Sequence, residues 1–276
     1  MTTLTATERR RGTGAARAPV RLGVVPYLNV APIVHGLGES ERFRIETDVP
    51  SRIAERLHAG EIDLGMIPSI EYVPGYAIVP GIAIGSRGPV RSVVLFHRVP
   101  LSDVRRVAVD TSSRTSVVLL RILLRERLGR DPEYVPMAPR VPEMLAAADA
   151  ALVIGDPALG FDDGCDRLDL GEEWTSLTGH PFVFAFWAGR PGSVTPEEVA
   201  LLQGSLRQGL ASIGTIAASY RGRGTGSVAG NEDYLRSNVA YGLGDAEVRG
   251  LHEFYRRAQA LGLISGVPEL RFHGHS

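Results

Sequence analysis

Short apolar runs rich in Val, Ile and Phe recur between residues 20 and 188, each bounded by turn residues. They predict strands at 21–25, 43–47, 62–67, 90–97, 106–110, 151–154 and 182–188. Between them, apolar positions repeat at three and four residues and predict helices at 53–59, 115–128 and 141–147. This alternation is the pattern of α/β sheets, mostly parallel and covered on both faces. From Thr195 the pattern is helical alone. Val199, Leu202, Leu206, Leu210, Ile213 and Ala217 form one stripe, and Val248, Leu251, Tyr255 and Ala258 form another. Thr195-Pro196-Glu197-Glu198 opens the first stripe as cap, proline and acidic first turn. The glycine-rich stretch 221–230 reads as the loop between the stripes. It follows a helix rather than a strand, so its glycines do not fit a dinucleotide-binding turn.

The runs at 90–97 and 182–188 read as crossings between two lobes. The expected division is a discontinuous first lobe of residues 20–94 and 189–276, a second lobe of residues 95–188, and a disordered tail at 1–19. Such a chain places a ligand cleft between the lobes, at the carboxyl ends of strands from both. Residues 25–32 fit the mouth of that cleft. There a strand runs into a polar turn and then a short helix, whose first turn would offer free N–H groups to an anion.

Composition narrows the chemistry. The chain has 276 residues, is 44% hydrophobic and carries a formal charge of -1, which gives no general attraction to nucleic acid or to an anionic membrane. All 30 basic residues are arginine. Without lysine, neither Schiff-base catalysis nor a P-loop is available. The single cysteine, Cys165, excludes an internal disulfide and a multi-cysteine metal site. No window approaches the roughly twenty apolar residues of a membrane span. The arginines at 9–11 are followed by no apolar run of export length, so a cytoplasmic protein is expected. Gly-x-Ser-x-Gly and His-Glu-x-x-His are both absent, and Asp162, Asp163 and Asp166 lack the spacing and terminal glutamate of a calcium loop.

Several polar residues sit where elements meet, and each has a structural as well as a functional reading. Ser112 to Ser116 follow a strand and open an apolar helix, so they either cap that helix or cradle a carboxylate on its N–H groups and hydroxyls. Arg114 in that turn is either a bidentate clamp or a solvated cation. Ser69 and Ser86, both at turns, either line a binding wall or satisfy their own backbone. Tyr27 is either half-buried core or a flank for a ring, and Asn29 taken alone would be a helix cap. Asp156 and His180, each followed by proline, are either cleft groups or local structural donors and acceptors.

Eight ordered segments bring a family into view. They are Val25-Pro-Tyr-Leu-Asn29, Asp63 to Tyr72, Gly85-Ser86, Asp110 to Ser116, Ile154 to Leu159, Trp174, Thr178 to Trp187 and Tyr241 to Gly244. In these the chain resembles the chorismate dehydratases of the futalosine route to menaquinone. That resemblance implies an α/β, two-lobed, type II periplasmic-binding-protein-like fold with a ligand cleft between lobes. It implies loss of water from chorismate to give 3-[(1-carboxyvinyl)oxy]benzoate, with no metal and no cofactor. It assigns Asn29 as the catalytic position, polarising the departing hydroxyl while the enolpyruvyl carboxylate of the substrate takes the proton. Tyr27, Ser69, Ser86, Arg114, Thr115, Ser116, Asp156 and His180 become the substrate-binding candidates. The family often has a basic residue between the asparagine and proline of the first motif, where this chain carries Val30 and Ala31. Two other readings stay open: a non-catalytic binding protein for a small carboxylate, and a sister enzyme forming a naphthoate in the same pathway. Oligomeric state is not legible.

Overall fold

The computed structural model describes residues 17–220 and 223–274. The expected tail lies outside the described residues as far as position 16, and Arg17 does not belong to it. The Arg17 guanidinium donates to the Glu198 carboxylate at 2.9 Å and to the Ser193 carbonyl at 2.7 Å.

The chain begins with β1 (Val20–Val24), β2 (Phe43–Thr47), α1 (Pro50–Ala59), β3 (Leu64–Pro68) and β4 (Ala77–Ser86). β1 pairs in parallel with β2 on one side and β3 on the other. It then crosses to a second sheet. The elements there are β5 (Val93–His97), β6 (Arg106–Asp110), α2 (Thr115–Leu128), β7 (Glu133–Met137), α3 (Val141–Ala147), β8 (Ala150–Ile154), α4 (Asp156–Gly160), β9 (Asp166–Asp169) and α5 (Leu170–Thr178). β10 (Phe182–Gly189) returns and inserts antiparallel between β3 and β4, with Trp187 opposite Met66. The sheets are ordered β2-β1-β3-β10-β4 and β7-β6-β8-β5-β9. Because β10 is bonded on both sides within the first sheet, the return falls before Phe182 rather than after Ala188. Its nearly unbroken apolar sequence suits an inner strand, buried on both faces.

Helices α6 (Pro196–Ala211), α7 (Ile213–Ser219), α8 (Val228–Asp233) and α9 (Asp245–Ala260) follow, with a π-helical turn at Tyr234–Asn238. The stripe from Val199 to Ala217 belongs to two helices, broken at Ser212. The loop expected at 221–230 is described from Arg223, and α8 already begins at Val228. Thr195 caps α6 reciprocally with Glu198, as its sequence predicts.

One apolar core runs through both sheets, from Leu22 and Leu64 to Leu95, Val107 and Leu152. A smaller cluster of Val94, Phe96, Ala108 and Met144 fills the space between the outer face of the second sheet and α3. Among the described residues no helix is long and apolar enough to cross a membrane.

Candidate active site between the two sheets

After β1 the chain turns at Val25-Pro26 and places Tyr27 before a single 3-10 turn, Leu28–Val30. The anion-binding helix expected here is therefore only three residues long. Its Leu28 N–H is already taken, donating to Asp156 Oδ1 at 2.9 Å. That bond joins the strand end of the first sheet to the start of α4 in the second. Beside it the Tyr27 ring lies against Gly155, whose φ is +68°, and a Cβ at that glycine would stand 2.6 Å from the ring. Only glycine meets both demands.

From the second sheet, Asp110 at the end of β6 organises the turn into α2. Its Oδ1 accepts from the Ser112 N–H at 2.8 Å and the Ser112 hydroxyl at 2.6 Å, and its Oδ2 accepts from the Ile154 N–H at 3.4 Å. The turn so formed presents Ser113, Arg114, Thr115 and Ser116 to the cleft. α2 has no side-chain cap. Its first N–H groups and the positive end of its dipole thus remain for an anion. Backbone N–H groups tie this turn across to the first sheet and its helix: Ser51 N–H donates to the Ser112 carbonyl at 3.2 Å, and Ile70 N–H to Thr115 Oγ1 at 3.2 Å.

Between these segments lies a cavity lined from both sheets, the placement expected of a small-molecule site. Val25, Met66, Ile84, Val93, Ile154 and Phe184 give it apolar walls from both sheets. Its polar lining comes from Tyr27, Asn29 and Ser92 and from the α2 turn. Two buried polar atoms, Asn29 Oδ1 and Ser113 Oγ, have no hydrogen-bond partner among the described residues. An unsatisfied buried group costs roughly 1–3 kcal/mol, so these atoms are suited to a ligand that supplies what the protein does not.

The sequence candidates divide by position. Tyr27, Asn29, Arg114, Thr115 and Ser116 line the cavity. Arg114 does so while half exposed, with Nη2 at 3.3 Å from Glu55 Oε1, so its charge is shared with a surface carboxylate. Asp156 stands behind the lining and orients it through Leu28. Ser69 is fully buried behind Pro68, its hydroxyl spent on the Val183 carbonyl at 2.8 Å and touching Thr115 Oγ1 at 3.4 Å. Ser86 is also outside the lining. It is buried against α5, where a Cβ at Gly171 would lie 2.4 Å from its Oγ. His180 sits in the turn from α5 to β10, beside Gly250 of α9, and does not reach the cavity wall. Ser92 and Ser113 line the cavity without having been singled out. Ser113 was legible within its serine-rich turn. Ser92 follows Arg91 at the start of an apolar run, and nothing local distinguishes it.

Burial governs the titration of the site. It raises both the Asp110 and Asp156 carboxyls above the usual range, against the opposing pull of the hydrogen bonds from Ser112 and Leu28. It likewise raises the Tyr27 phenol, which the Ser112 hydroxyl partly offsets. The Cys165 thiol, far from this cleft, is pushed up to about 11 by burial and by Asp163, which leaves it a poor nucleophile. Among the described residues no group of three His, Cys, Asp or Glu side chains is placed to hold a metal ion.

Two α/β sheets joined by a crossover, with polar groups from both converging on one small cavity, define a two-lobed protein of the periplasmic-binding-protein fold. A Candida albicans protein described as having that generic fold superposes with a TM-score of 0.57 at 10% identity, over 94% of this chain and 98% of its own. The Archaeoglobus fulgidus protein AF1704 gives 0.74 at 19% identity, over 90% and 100%. Within that fold, the chain belongs to the menaquinone biosynthesis family, whose profile matches residues 20–260. The chorismate dehydratase of Thermus thermophilus is 34% identical over 269 residues, covering 89% of this chain and 96% of the relative.

Proposed function

We propose that this chain is a chorismate dehydratase, a hydro-lyase that removes water from chorismate to give 3-[(1-carboxyvinyl)oxy]benzoate for menaquinone biosynthesis. The observation that carries the reading to particular residues is the buried, unpartnered Asn29 oxygen at a cavity bounded by both sheets. Kinship to the Thermus enzyme supplies the reaction.

The reaction breaks a ring C–H bond and a ring C–O bond, and the ring becomes aromatic. The proton and the hydroxyl leave together as one water, so no oxidant or reductant is involved. The barrier lies in removing a carbon-bound proton and expelling a poor leaving group. The neutral amide of Asn29 is too weak a base to take the proton. It can hydrogen-bond the departing hydroxyl or developing negative charge, and the enolpyruvyl carboxylate of the substrate receives the proton. The α2 turn receives a substrate carboxylate on its N–H groups and on the Ser113, Thr115 and Ser116 hydroxyls, each charge-assisted bond contributing about 1.5–3 kcal/mol. Tyr27 flanks the ring. The apolar walls exclude water, which strengthens every polar contact inside.

The test is to mix the purified protein with chorismate and follow mass and ultraviolet absorbance. Loss of one water with the enolpyruvyl ether retained supports the reading. Chorismate that binds and stays intact makes the chain a binding protein instead.

A further inference from the structure

Ser92 lines the cavity but is itself only 1% exposed, and its hydroxyl is reached from behind by a residue outside the cavity. The Tyr234 hydroxyl, on a side chain with no exposed surface, donates to Ser92 Oγ at 2.8 Å. A serine hydroxyl has one proton to give. With its oxygen already accepting from Tyr234, that proton is left to donate, and no acceptor for it is found among the described residues. Burial keeps the Tyr234 phenol protonated, and the Asn29 amide lies against the same phenol. One buried hydroxyl therefore stands behind two groups that front the cavity.

The surrounding geometry is built to hold it there. Tyr234 opens the π-helical turn Tyr234–Asn238, and π turns commonly mark functional positions in helices. The same turn grips the crossover between the sheets at successive points. Asn238 Nδ2 donates to the Pro89 carbonyl at 2.9 Å, and Arg91 Nη1 donates at 3.1 Å to Oδ2 of Asp233, the residue just before the turn. Arg91 has a φ of +61°, a left-handed backbone rare for a side-chain-bearing residue. Its N–H is also fixed by Asp169 Oδ2 at 2.6 Å, and the Ser92 carbonyl accepts from the Gly155 N–H at 2.8 Å. Residues 89–92 are thus clamped from the π turn, from β9 and from the Tyr27–Gly155 junction.

We propose that Tyr234 is a positioning residue for the dehydration: its hydroxyl occupies the acceptor side of Ser92 so that the Ser92 proton is presented to the substrate beside Asn29. This rests on the chorismate dehydratase reading. The bond it serves is the C–O bond to the departing hydroxyl, to which Ser92 donates while the C–H proton goes to the substrate carboxylate.

The experiment compares wild type, Tyr234→Phe, Ser92→Ala and the double variant. Removing only the phenol oxygen should lower kcat roughly tenfold with KM within about twofold. In the Ser92→Ala background the same change should alter kcat less than about twofold, because the group it positions is gone. A crystal structure of Tyr234→Phe should show Ser92 Oγ turned from its wild-type direction. Unchanged kcat, an equal loss in both backgrounds, or an unmoved Ser92 hydroxyl each overturns the proposal. If wild type leaves chorismate intact, the functional reading fails on its own, and the Ser92 direction in the variant alone decides whether Tyr234 positions it.

Discussion

Asn29 shows how a single side chain acquires a role from its surroundings. By sequence it is a helix cap, but it sits inside a single 3-10 turn, Leu28–Val30, whose Leu28 N–H already donates to Asp156. Its residue lines the cavity, and its buried oxygen has no donor among the described residues. Asn29→Ala and Asn29→Asp should both bind product, seen by calorimetry, yet turn over on the order of 100-fold more slowly. Near-normal turnover in both would reject the assignment. Gly155 is a second decisive residue. Alanine there meets a φ of +68° and a Tyr27 ring 2.6 Å away. Gly155→Ala should cost roughly 1–3 kcal/mol from the backbone alone, visible as a lowered Tm, and should lower activity further by displacing Tyr27.

At the scale of elements, the turn from β6 into α2 depends on a buried carboxylate, and that carries a pH signature. Unfolded, Asp110 titrates near 3.8, and burial raises it in the folded protein. The folded state holds the extra proton between those two values. The stability attributable to Asp110 is therefore greatest below the unfolded value and falls as pH rises through the folded one. Urea denaturation across this range should show wild-type stability falling relative to Asp110→Asn as pH increases. A flat or rising difference contradicts it. The cap of α6 is independent of the cavity, so Thr195→Ala should cost about 1 kcal/mol and leave kcat unchanged. Legibility also varies by element. Three strands escaped the hydrophobic pattern, β4, β7 and β9, and all three are sheet edges. β4 contains Pro80-Gly81, β7 contains Pro136, and β9 is four residues with three charges. Edge strands tolerate proline and charge because one side of the ladder is unpaired, and these same residues erase the apolar run that marks a strand.

Across the whole molecule, a few bonds join segments of different sheets at the cleft. Asp156 to Leu28 is one with a half-buried carboxylate as acceptor. Asp156→Ala leaves that N–H unpaired and should weaken product binding by roughly tenfold or more, while solution scattering shows a more open particle. An unchanged affinity and radius would mean that the bond does not govern closure.

The sequence by itself determined the alternating α/β pattern, the inner strands, the cap of α6 and the turn at residues 112–116, because burial on two faces and helix-end chemistry are local demands. Its ordered motifs also determined the family. Only the tertiary structure decided that β10 returns to the first sheet, that Asp156 orients the Asn29 turn instead of facing the cavity, that Ser69, Ser86 and His180 lie outside its lining, and that Ser92 lies within it. Those outcomes depend on which distant segment lies opposite each side chain, and no periodicity along the chain records that.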